Sequence, residues 1–356
     1  MKLRHLRPAR IFIATVSYLH THALLIFCVF FLTLATVIGF KGYDFLRKEN
    51  IKPQDLLSFF GTPKENLDST NDVTNFLLLG IRGEGSDSPN LADTIIVASY
   101  NHTSHQTTLI SVPRDLWVSS LKAKINSAYY YGQEATPAAG IKMAQAAILE
   151  TLGLPIHYTA VVNFAMFKDI VDLLGGVDVL NDIAFTDPLF PIPGKENALP
   201  ISSRYETISF PSGLIHMDGT TALKFVRSRH AEGEEGTDFA RSRRQQAVIT
   251  AIRKQVINAN FLLDQNKVNQ LMDIVNRNLN TNLSPSLYPT LAKLAVDTKD
   301  NPLKSIPLSD RPDDKGISIL YNPPAKKYFG EYVLIPKDNN FSALKKYLEN
   351  KLSGVQ

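Results

Sequence analysis

Residues 75–115 read NFLLLGIRGEGSDSPNLADTIIVASYNHTSHQTTLISVPRD and contain three apolar runs, at 76–79 (FLLL), 94–98 (TIIVA) and 108–112 (TLISV). Each run is short, rich in leucine or β-branched residues, and bounded by turn residues. The apolar residues are consecutive rather than alternating, which is typical of strands covered on both faces. Helical patterns alternate with further short strands downstream, so the sequence predicts an α/β or α+β layered fold.

The elements after this stretch are predicted from the same patterns. Helices are predicted at 138–152, at 164–174, from an Asp218 cap through Phe225, and from a Thr237 or Asp238 cap to about residue 258. Strands are predicted at 158–163 and 177–180, and the proline-rich residues 180–207 are expected to form an irregular surface loop or lid. After residue 262 we expect two weaker helices, short strands near 317–321 and 332–335, and a terminal helix over 342–352.

The first forty residues predict a membrane anchor. Four cations, Lys2, Arg4, Arg7 and Arg10, precede residues 11–40, which contain no Lys, Arg, Asp or Glu. A helix of about 20 residues, rising about 1.5 Å per residue, crosses the roughly 30 Å hydrocarbon core of a bilayer. We therefore predict a basic interfacial segment at 1–19, a transmembrane helix at 20–40 and a stalk at 41–74. The apolar run is longer than that of a cleaved signal peptide, which favours a retained anchor.

The distribution of charge predicts the topology. The chain carries 38 Lys and Arg against 34 Asp and Glu, and the four N-terminal cations account for the whole net charge of +4. Because cations beside a membrane span favour the cytoplasmic side, we predict a single-pass protein of the cell membrane. Its N-terminus would be cytoplasmic and its catalytic domain extracellular. The outer part is neutral, which argues against a nucleic-acid partner bound through bulk positive charge. The single cysteine, Cys28, excludes a disulfide framework or a Cys-based metal site within one subunit.

The helix that starts near Thr237, TDFARSRRQQAVITAIRKQVI, has one face of mixed chemistry. At about 100° per residue, the apolar residues of its second half share that face: Val248, Ile249, Ile252 and Val256. The same face continues into Gln245 and Arg241 in the first half, whereas Arg243 lies on the opposite side and is expected to be solvated. The helical period therefore predicts that Arg241 and Gln245 face the core.

An inward-facing guanidinium needs a partner. One interpretation is an internal salt bridge from Arg241 to Asp238 or Asp93. The other is a pocket for an anionic ligand, assisted by the positive end of the helix dipole. Arg227 and Arg229, at the end of the preceding helix, strengthen the second interpretation because converging guanidiniums bind pyrophosphate oxygens.

Two charged residues lie at the ends of predicted strands. Asp93 opens the second strand and Arg114 follows the third. A carboxylate at a strand end beside arginines suits a magnesium ion in phosphoryl chemistry. The alternative for Asp93 is a role in a turn or a helix cap.

Eight motifs in order resemble the LytR-CpsA-Psr family of cell-envelope glycopolymer transferases. They are NFLLLG (75–80), ADTI (92–95), LISVPRD (109–115), KIN with AY (124–129), DIVDLLGGVDV (169–179), MDG with AL (217–223), VRSR (226–229) and DFAR with RQQ (238–246). Each motif is weak by itself, but eight in sequence behind a predicted membrane span are a specific signal.

The resemblance implies a three-layer α/β/α fold with a central mixed sheet and a long apolar groove for a polyprenyl chain. It implies transfer of a glycopolymer phosphate from a polyprenyl-pyrophosphate-linked glycan to peptidoglycan, with Mg²⁺ on the pyrophosphate. By position, Asp93 would be a catalytic residue that binds the metal, and Gln245 would support the site. The catalytic arginines that would hold the pyrophosphate are Arg114, Arg227, Arg229 and Arg241.

The resemblance gives a catalytic domain at 75–262, while residues 263–356 hold no recognised motif. We expect this C-terminal extension to pack on the catalytic domain, where it either completes the sheet or forms a small separate module.

Two positions depart from the family pattern. The family often has an acidic residue just after the first strand, where this chain reads Gly80-Ile81-Arg82, and an arginine two residues before the Asp, where it has Leu91. A second metal carboxylate would then come from Glu84 or Asp87. The candidates for a general base are Asp115 and Asp238.

Two other functions fit the same residues. A pyrophosphatase would use the arginine site with water as the acceptor, and a non-enzymatic protein would bind an anionic glycolipid without turning it over. The chain contains neither an HExxH nor a GxSxG motif. This argues against a zinc protease and a serine hydrolase.

Overall fold

The computed structural model describes residue 47 and residues 66–136, 138–312, 316, 318–337 and 341–353. The predicted basic segment, the transmembrane helix at 20–40 and most of the stalk lie outside the described residues. Among the helices that are described, none is long and apolar enough to cross a membrane. The described residues from 66 onward belong to one compact unit.

Groups of strands and groups of helices follow one another along this unit. The strands are β1 (Val73–Ile81), β2 (Ala92–Asn101), β3 (Gln106–Ser111), β4 (Trp117–Val118), β5 (Ala123–Lys124), β6 (Tyr158–Asn163), β7 (Val177–Asn181), β8 (Phe185–Pro191), β9 (Tyr205–Phe210), β10 (Gly213–Met217), β11 (Asn280–Thr281), β12 (Lys304–Pro307), β13 (Leu320–Tyr321) and β14 (Ile335–Pro336). The helices are α1 (Ala128–Ala135), α2 (Ala139–Leu152), α3 (Phe164–Leu173), α4 (Gly219–Arg227), α5 (Asp238–Val256), α6 (Ala259–Leu262), α7 (Gln265–Asn278), α8 (Tyr288–Asp297) and α9 (Phe341–Ser353).

A six-stranded mixed sheet, in the order β11-β6-β1-β2-β3-β12, forms the centre of the unit. β2 pairs antiparallel with both β1 and β3, whereas β6 and β12 are parallel to their neighbours β1 and β3. The three apolar runs of the opening stretch fall in β1, β2 and β3, in the middle of this sheet. The predicted α/β architecture with a central mixed sheet is confirmed.

Alternate residues of β1 lie on opposite faces of the sheet. Leu77 and Leu79 pack in a core with α2 and α9. Leu78 and Gly80, on the other face, line a cavity that α3, α4 and α5 cover. The apolar run is continuous because one face of β1 meets a packed core and the other face meets an apolar cavity.

The expectation of irregular structure at residues 180–207 is wrong in part, because Phe185–Pro191 and Tyr205–Phe210 are strands, whereas residues 192–200 between them are irregular. β8 and β9 pair antiparallel, and the register shifts between Asp187 and Phe190. This shift contains Pro188, and a bulge is one of the few places where a strand accepts a proline. Phe185, Asp187 and Phe190 are buried, so this strand pair packs on the fold rather than forming a loose lid.

Residues 263–356 complete the central sheet. β11 and β12 form its two edges, and Leu344 and Leu348 of α9 pack in the same core as α2. This C-terminal segment therefore joins the central sheet rather than forming a small separate module.

Candidate active site

A cavity of about 380 Å³ lies between the central sheet and helices α3, α4 and α5. Its apolar wall comes from the sheet and from all three helices: Leu78, Val162, Phe164, Phe167, Ile170, Leu223, Val226, Val248, Ile249 and Ile252. A cavity lined in this way can hold a hydrocarbon chain out of water. Its apolar wall has the chemistry of the groove that the resemblance implies.

The cavity changes from apolar to cationic along two of its walls. On α5, Arg241 and Gln245 occupy the first two turns, and Ile252 follows two turns later. On β1, Leu78 contributes to the apolar part, and Arg82, just past the strand end, contributes to the cationic part. A lipid that carries a phosphate at one end would meet matching chemistry along both walls.

All six site residues selected from the sequence line this cavity: Asp93, Arg114, Arg227, Arg229, Arg241 and Gln245. Arg82, which was not predicted as a site residue, also lines the cavity. The described residues that line the cavity include five arginines and one carboxylate, that of Asp93. Planar guanidiniums donate pairs of hydrogen bonds to phosphate oxygens, so this arrangement suits a pyrophosphate.

Asp93 lies between two of these arginines. Its Oδ2 accepts a hydrogen bond from Arg82 Nε at 2.9 Å, and its Oδ1 accepts one from Arg114 Nη1 at 2.9 Å. Burial by itself raises the pKa of Asp93, but the positive charges of Arg82, Arg229 and Arg114 outweigh burial and lower the pKa below its ordinary 3.8. Asp93 is therefore ionised at neutral pH, and it aligns two guanidiniums at the cavity wall.

The face of α5 that the sequence turns inward is buried. Arg241 is 6% exposed and Gln245 is 9% exposed. Gln245 Nε2 donates to Thr94 Oγ1 at 2.9 Å, which ties the helix to β2. Gly80 is the cross-strand neighbour of Thr94, and a Cβ on Gly80 would lie 2.9 Å from Thr94 Cβ. Glycine at this position permits the close approach of β1 and β2 beside the site.

Arg227, the last residue of α4, stacks on aromatic rings instead of pointing into solvent. Its Cζ lies 4.5 Å from the centre of the Phe164 ring and 5.4 Å from that of Phe190. Burial lowers the pKa of Arg227, although the charge of Asp93 opposes this effect. Arginine remains protonated in proteins, so Arg227 contributes a desolvated positive charge to the cavity.

A buried carboxylate fixes the loop that carries Arg229. Asp187 Oδ2 accepts hydrogen bonds from Ser228 Oγ at 2.7 Å and from the backbone N–H groups of Arg229 and His230 at 3.0 and 3.1 Å. Burial alone would raise the pKa of Asp187, but these hydrogen bonds outweigh it and lower the pKa below 3.8. The loop between α4 and α5 is thus held in one conformation, with Arg229 at the cavity.

Asp187→Asn should lower the free energy of unfolding by about 1–3 kcal/mol at neutral pH, because the amide leaves buried donors poorly matched. Since the pKa of Asp187 is lowered on folding, its contribution is fully present above the ordinary value of 3.8 and is lost as the pH falls through the folded pKa. The difference between wild type and variant in urea unfolding should therefore shrink in that acid range. Asp182→Asn, at an exposed neighbouring position, is the control. A difference that does not change with pH would contradict this account.

Arg244 supports the same loop from the opposite side. Its Nη2 donates to the carbonyl of Ser228 at 2.8 Å, and its Nε donates to that of Phe225 at 3.1 Å. Its Nη1 pairs with Glu235 Oε2 at 3.0 Å, and its Cζ lies 4.5 Å from the centre of the Phe185 ring. Arg244 therefore positions the backbone of the site without lining the cavity.

Neither candidate for a general base, Asp115 or Asp238, is among the described residues that line the cavity. Asp115 is buried and pairs with Arg114 Nε at 3.4 Å and with Lys124 Nζ at 3.3 Å, and it does not line the cavity. The side chain of Asp238 lies outside the described part of the structure. Neither residue is assigned as a base.

The magnesium ion implied by the resemblance stays a prediction, and the residues around Asp93 do not fit one. Both oxygens of Asp93 accept hydrogen bonds from guanidiniums. Glu84 and Asp87, the candidate second ligands, are exposed and do not line the cavity. In the part of the chain that the structure describes, no three His, Cys, Asp or Glu side chains are grouped as a metal site. Mg²⁺ in phosphoryl chemistry binds through one or two carboxylates together with water and substrate phosphates, and the one carboxylate among the described lining residues is already paired with two guanidiniums, so no step of the transfer is assigned to a metal.

Comparison with known proteins agrees with the sequence motifs. The model of the LytR_cpsA_psr family matches residues 47–346, which is most of the chain. The chain belongs to the LytR-CpsA-Psr family. The family predicted from the eight motifs is thereby confirmed.

Relatives of this LytR-CpsA-Psr protein carry a functional name. A Bacillus cereus protein named polyisoprenyl-teichoic acid–peptidoglycan teichoic acid transferase TagU is 30% identical over 264 residues, covering 73% of this chain and 77% of the relative. A protein of the same name from Enterococcus faecalis is 29% identical over 273 residues, covering 75% and 79%. The crystal structure of B. subtilis TagU matches with a TM-score of 0.52 at 24% identity, over 79% of this chain and 97% of that one, which shows a shared fold.

Proposed function

We propose that this LytR-CpsA-Psr protein is a membrane-anchored phosphotransferase of cell-wall biogenesis. It moves a glycopolymer phosphate from a polyprenyl-pyrophosphate carrier to peptidoglycan. Residues 20–40 form its single transmembrane helix with the N-terminus in the cytoplasm, and the domain that begins near residue 75 lies at the outer surface of the bilayer. The polymer is of the teichoic acid type, the class that the names of the relatives give.

The combination of apolar and cationic chemistry in one cavity carries this proposal. A hydrocarbon wall formed by the sheet and three helices continues into five guanidiniums. An internal structural salt bridge explains the pairing of Asp93 with Arg82 and Arg114, but one carboxylate among the described lining residues does not balance the charge of five guanidiniums. A pyrophosphate on a lipid chain matches both parts at once.

Transfer requires one bond to phosphorus to form and one to break. A peptidoglycan hydroxyl attacks the phosphorus nearest the glycan, and the bond from that phosphorus to the bridging oxygen breaks. Polyprenyl monophosphate leaves with the bridging oxygen, and the hydroxyl proton passes to the leaving phosphate or to solvent. The guanidiniums of Arg227, Arg229 and Arg241 hold the two phosphates in line and neutralise charge on the leaving phosphate.

Reconstitution with defined substrates tests the proposal. The full chain in detergent micelles is incubated with a polyprenyl-pyrophosphate-linked glycan and muropeptides, and the products are identified by mass spectrometry. We expect a glycan-phosphate–muropeptide adduct together with polyprenyl monophosphate. Free glycan phosphate without an adduct would identify a pyrophosphatase. Substrate that is bound but unchanged would identify a binding protein.

Ile249→Trp should slow transfer from a long polyprenyl carrier by about tenfold or more, because the indole fills space that the lipid needs. A carrier shortened to a few isoprene units should lose less than about twofold, since it does not extend along the apolar wall. Comparison of kcat/KM for the two carriers measures the effect. Leu263→Trp, at a residue that is 84% exposed, is the matched control. An equal loss with both carriers would show that Ile249 does not contact the lipid.

A further inference from the structure

We propose that Arg82 takes the place of a divalent cation at Asp93, so that guanidinium groups alone bind and neutralise the pyrophosphate. This inference rests on the proposed function, because it concerns how the same cavity holds the same substrate. Arg82 is then a substrate-binding residue, and Asp93 is the residue that positions Arg82.

The geometry around Asp93 gives each of its carboxylate oxygens to a guanidinium rather than to a metal. Arg82 Nε and Arg114 Nη1 each donate to a different oxygen of Asp93, both at 2.9 Å. These are charge-assisted hydrogen bonds at ideal length, and a metal that bound the same carboxylate would lie beside two guanidinium charges that repel it. Asp93 therefore serves as an acceptor for two arginines.

Arg82 is placed at Asp93 by the pairing of β1 with β2. The register shifts between Gly80 and Ile81, so that Ile81 pairs with Ala92 rather than with Asp93. Arg82 follows Ile81 and reaches Asp93 from across the strand pair, and its side chain is 37% exposed against 20% for Asp93. A guanidinium has five N–H donors, and Asp93 accepts one of them from Arg82. Because Arg82 also lines the cavity, its remaining N–H groups can donate to a phosphate there.

The charge balance of the cavity favours the same conclusion. Among its described lining residues, Arg82, Arg114, Arg227, Arg229 and Arg241 oppose Asp93 alone. Burial raises the pKa of Asp93, but the neighbouring positive charges lower it further, so the carboxylate is ionised near neutral pH. A divalent cation would enter a cavity that is already strongly positive, whereas the pyrophosphate would enter a field of opposite sign. The two departures from the family pattern, at Arg82 and Leu91, fall in this same region of the sequence.

Binding of polyprenyl pyrophosphate, without the glycan, tests the inference in the wild-type protein. The full chain in detergent micelles is titrated by isothermal calorimetry in buffer with EDTA and in buffer with Mg²⁺. We expect the two Kd values to agree within about twofold, because the arginines supply the charge that a metal would supply elsewhere. Binding that weakens about tenfold or more in EDTA would overturn the inference while leaving the proposed function intact. Absence of binding in both buffers would contradict the inference and the proposed function together.

Variants of Arg82 give a second, independent readout. Arg82→Asp places a carboxylate beside Asp93, so we expect binding to fall about tenfold or more in EDTA and to recover in Mg²⁺. Arg82→Gln supplies no charge and only a neutral amide oxygen, a much weaker ligand for Mg²⁺ than a carboxylate, so we expect weak binding in both buffers. Arg277→Asp makes the same charge change at an exposed residue of α7 and should leave both Kd values unchanged. Wild-type binding by Arg82→Gln, with a thermal unfolding curve that shows a folded protein, would contradict the role given to Arg82.

Discussion

Arg241→Ala should lower the rate of glycan transfer by about 100- to 1000-fold, the range seen when one donor to a developing negative charge is removed. Arg241 lies in the first turn of α5, where the N-terminal end of the helix dipole adds to its positive charge. It is 6% exposed and lines the cavity with Arg227 and Arg229, so its charge acts where solvent screening is weak. Product formation under saturating substrate, measured by mass spectrometry, gives the loss in kcat.

The control for Arg241→Ala is Lys254→Ala, which removes a cation from an exposed position of the same helix. This variant should transfer glycan at the wild-type rate. Thermal unfolding of both variants shows whether a loss of rate reflects loss of fold. A folded Arg241→Ala protein with more than about a third of wild-type activity would refute the assignment of Arg241 to the substrate site.

Arg244→Met should lower the free energy of unfolding by about 3–5 kcal/mol, because it leaves buried backbone carbonyls unpaired and leaves the buried Glu235 carboxylate with Arg243 as its remaining guanidinium partner. Arg244 is 2% exposed and bonds to the backbone of Phe225, Ser228 and Glu235 as well as to the Glu235 carboxylate. Methionine fills a similar volume but replaces none of these hydrogen bonds. Urea unfolding followed by circular dichroism measures the difference.

A second replacement separates the buried charge from the lost packing. Adding Glu235→Gln to Arg244→Met removes a buried carboxylate that has lost one of its two guanidinium partners, so we expect the double variant to regain about 1–3 kcal/mol relative to Arg244→Met alone. Arg277→Met, at an exposed residue, should change stability by less than about 0.5 kcal/mol. If Arg244→Met unfolds as the wild type does, Arg244 does not fix the loop between α4 and α5.

Much of the site could be predicted because one helix carries both halves of its chemistry. The period of α5 placed Arg241 and Gln245 on the same face as Ile252, and all three line the cavity. The helix starts were also readable, since Asp218 accepts from the Thr221 N–H and Thr237 accepts from the Ala240 N–H. Local periodicity and capping need no knowledge of distant contacts, and for this reason they were recovered from sequence.

Arg82, Asp187 and Arg244 could not be predicted because their roles depend on distant pairings. Arg82 meets Asp93 only when β1 and β2 pair with a register shift, and the sequence alone does not show that shift. A two-residue period from Leu78 through Gly80 to Arg82 was the available signal, but the loop that follows made the strand end uncertain. Asp187 lies in a proline-containing strand, and it bonds to a loop about forty residues later in the chain.

Photoaffinity labelling tests the central claim, that the cavity holds the lipid carrier with its pyrophosphate at the arginines. The probe is a polyprenyl pyrophosphate with a diazirine on the lipid chain, and the labelled peptides are identified by mass spectrometry. We predict cross-links to residues 164–170 of α3 and 248–252 of α5 that unlabelled polyprenyl pyrophosphate prevents and uncharged polyprenol does not. Cross-links that fall mainly on exposed apolar residues such as Leu199 and Leu214, or that persist with unlabelled polyprenyl pyrophosphate, would contradict the account.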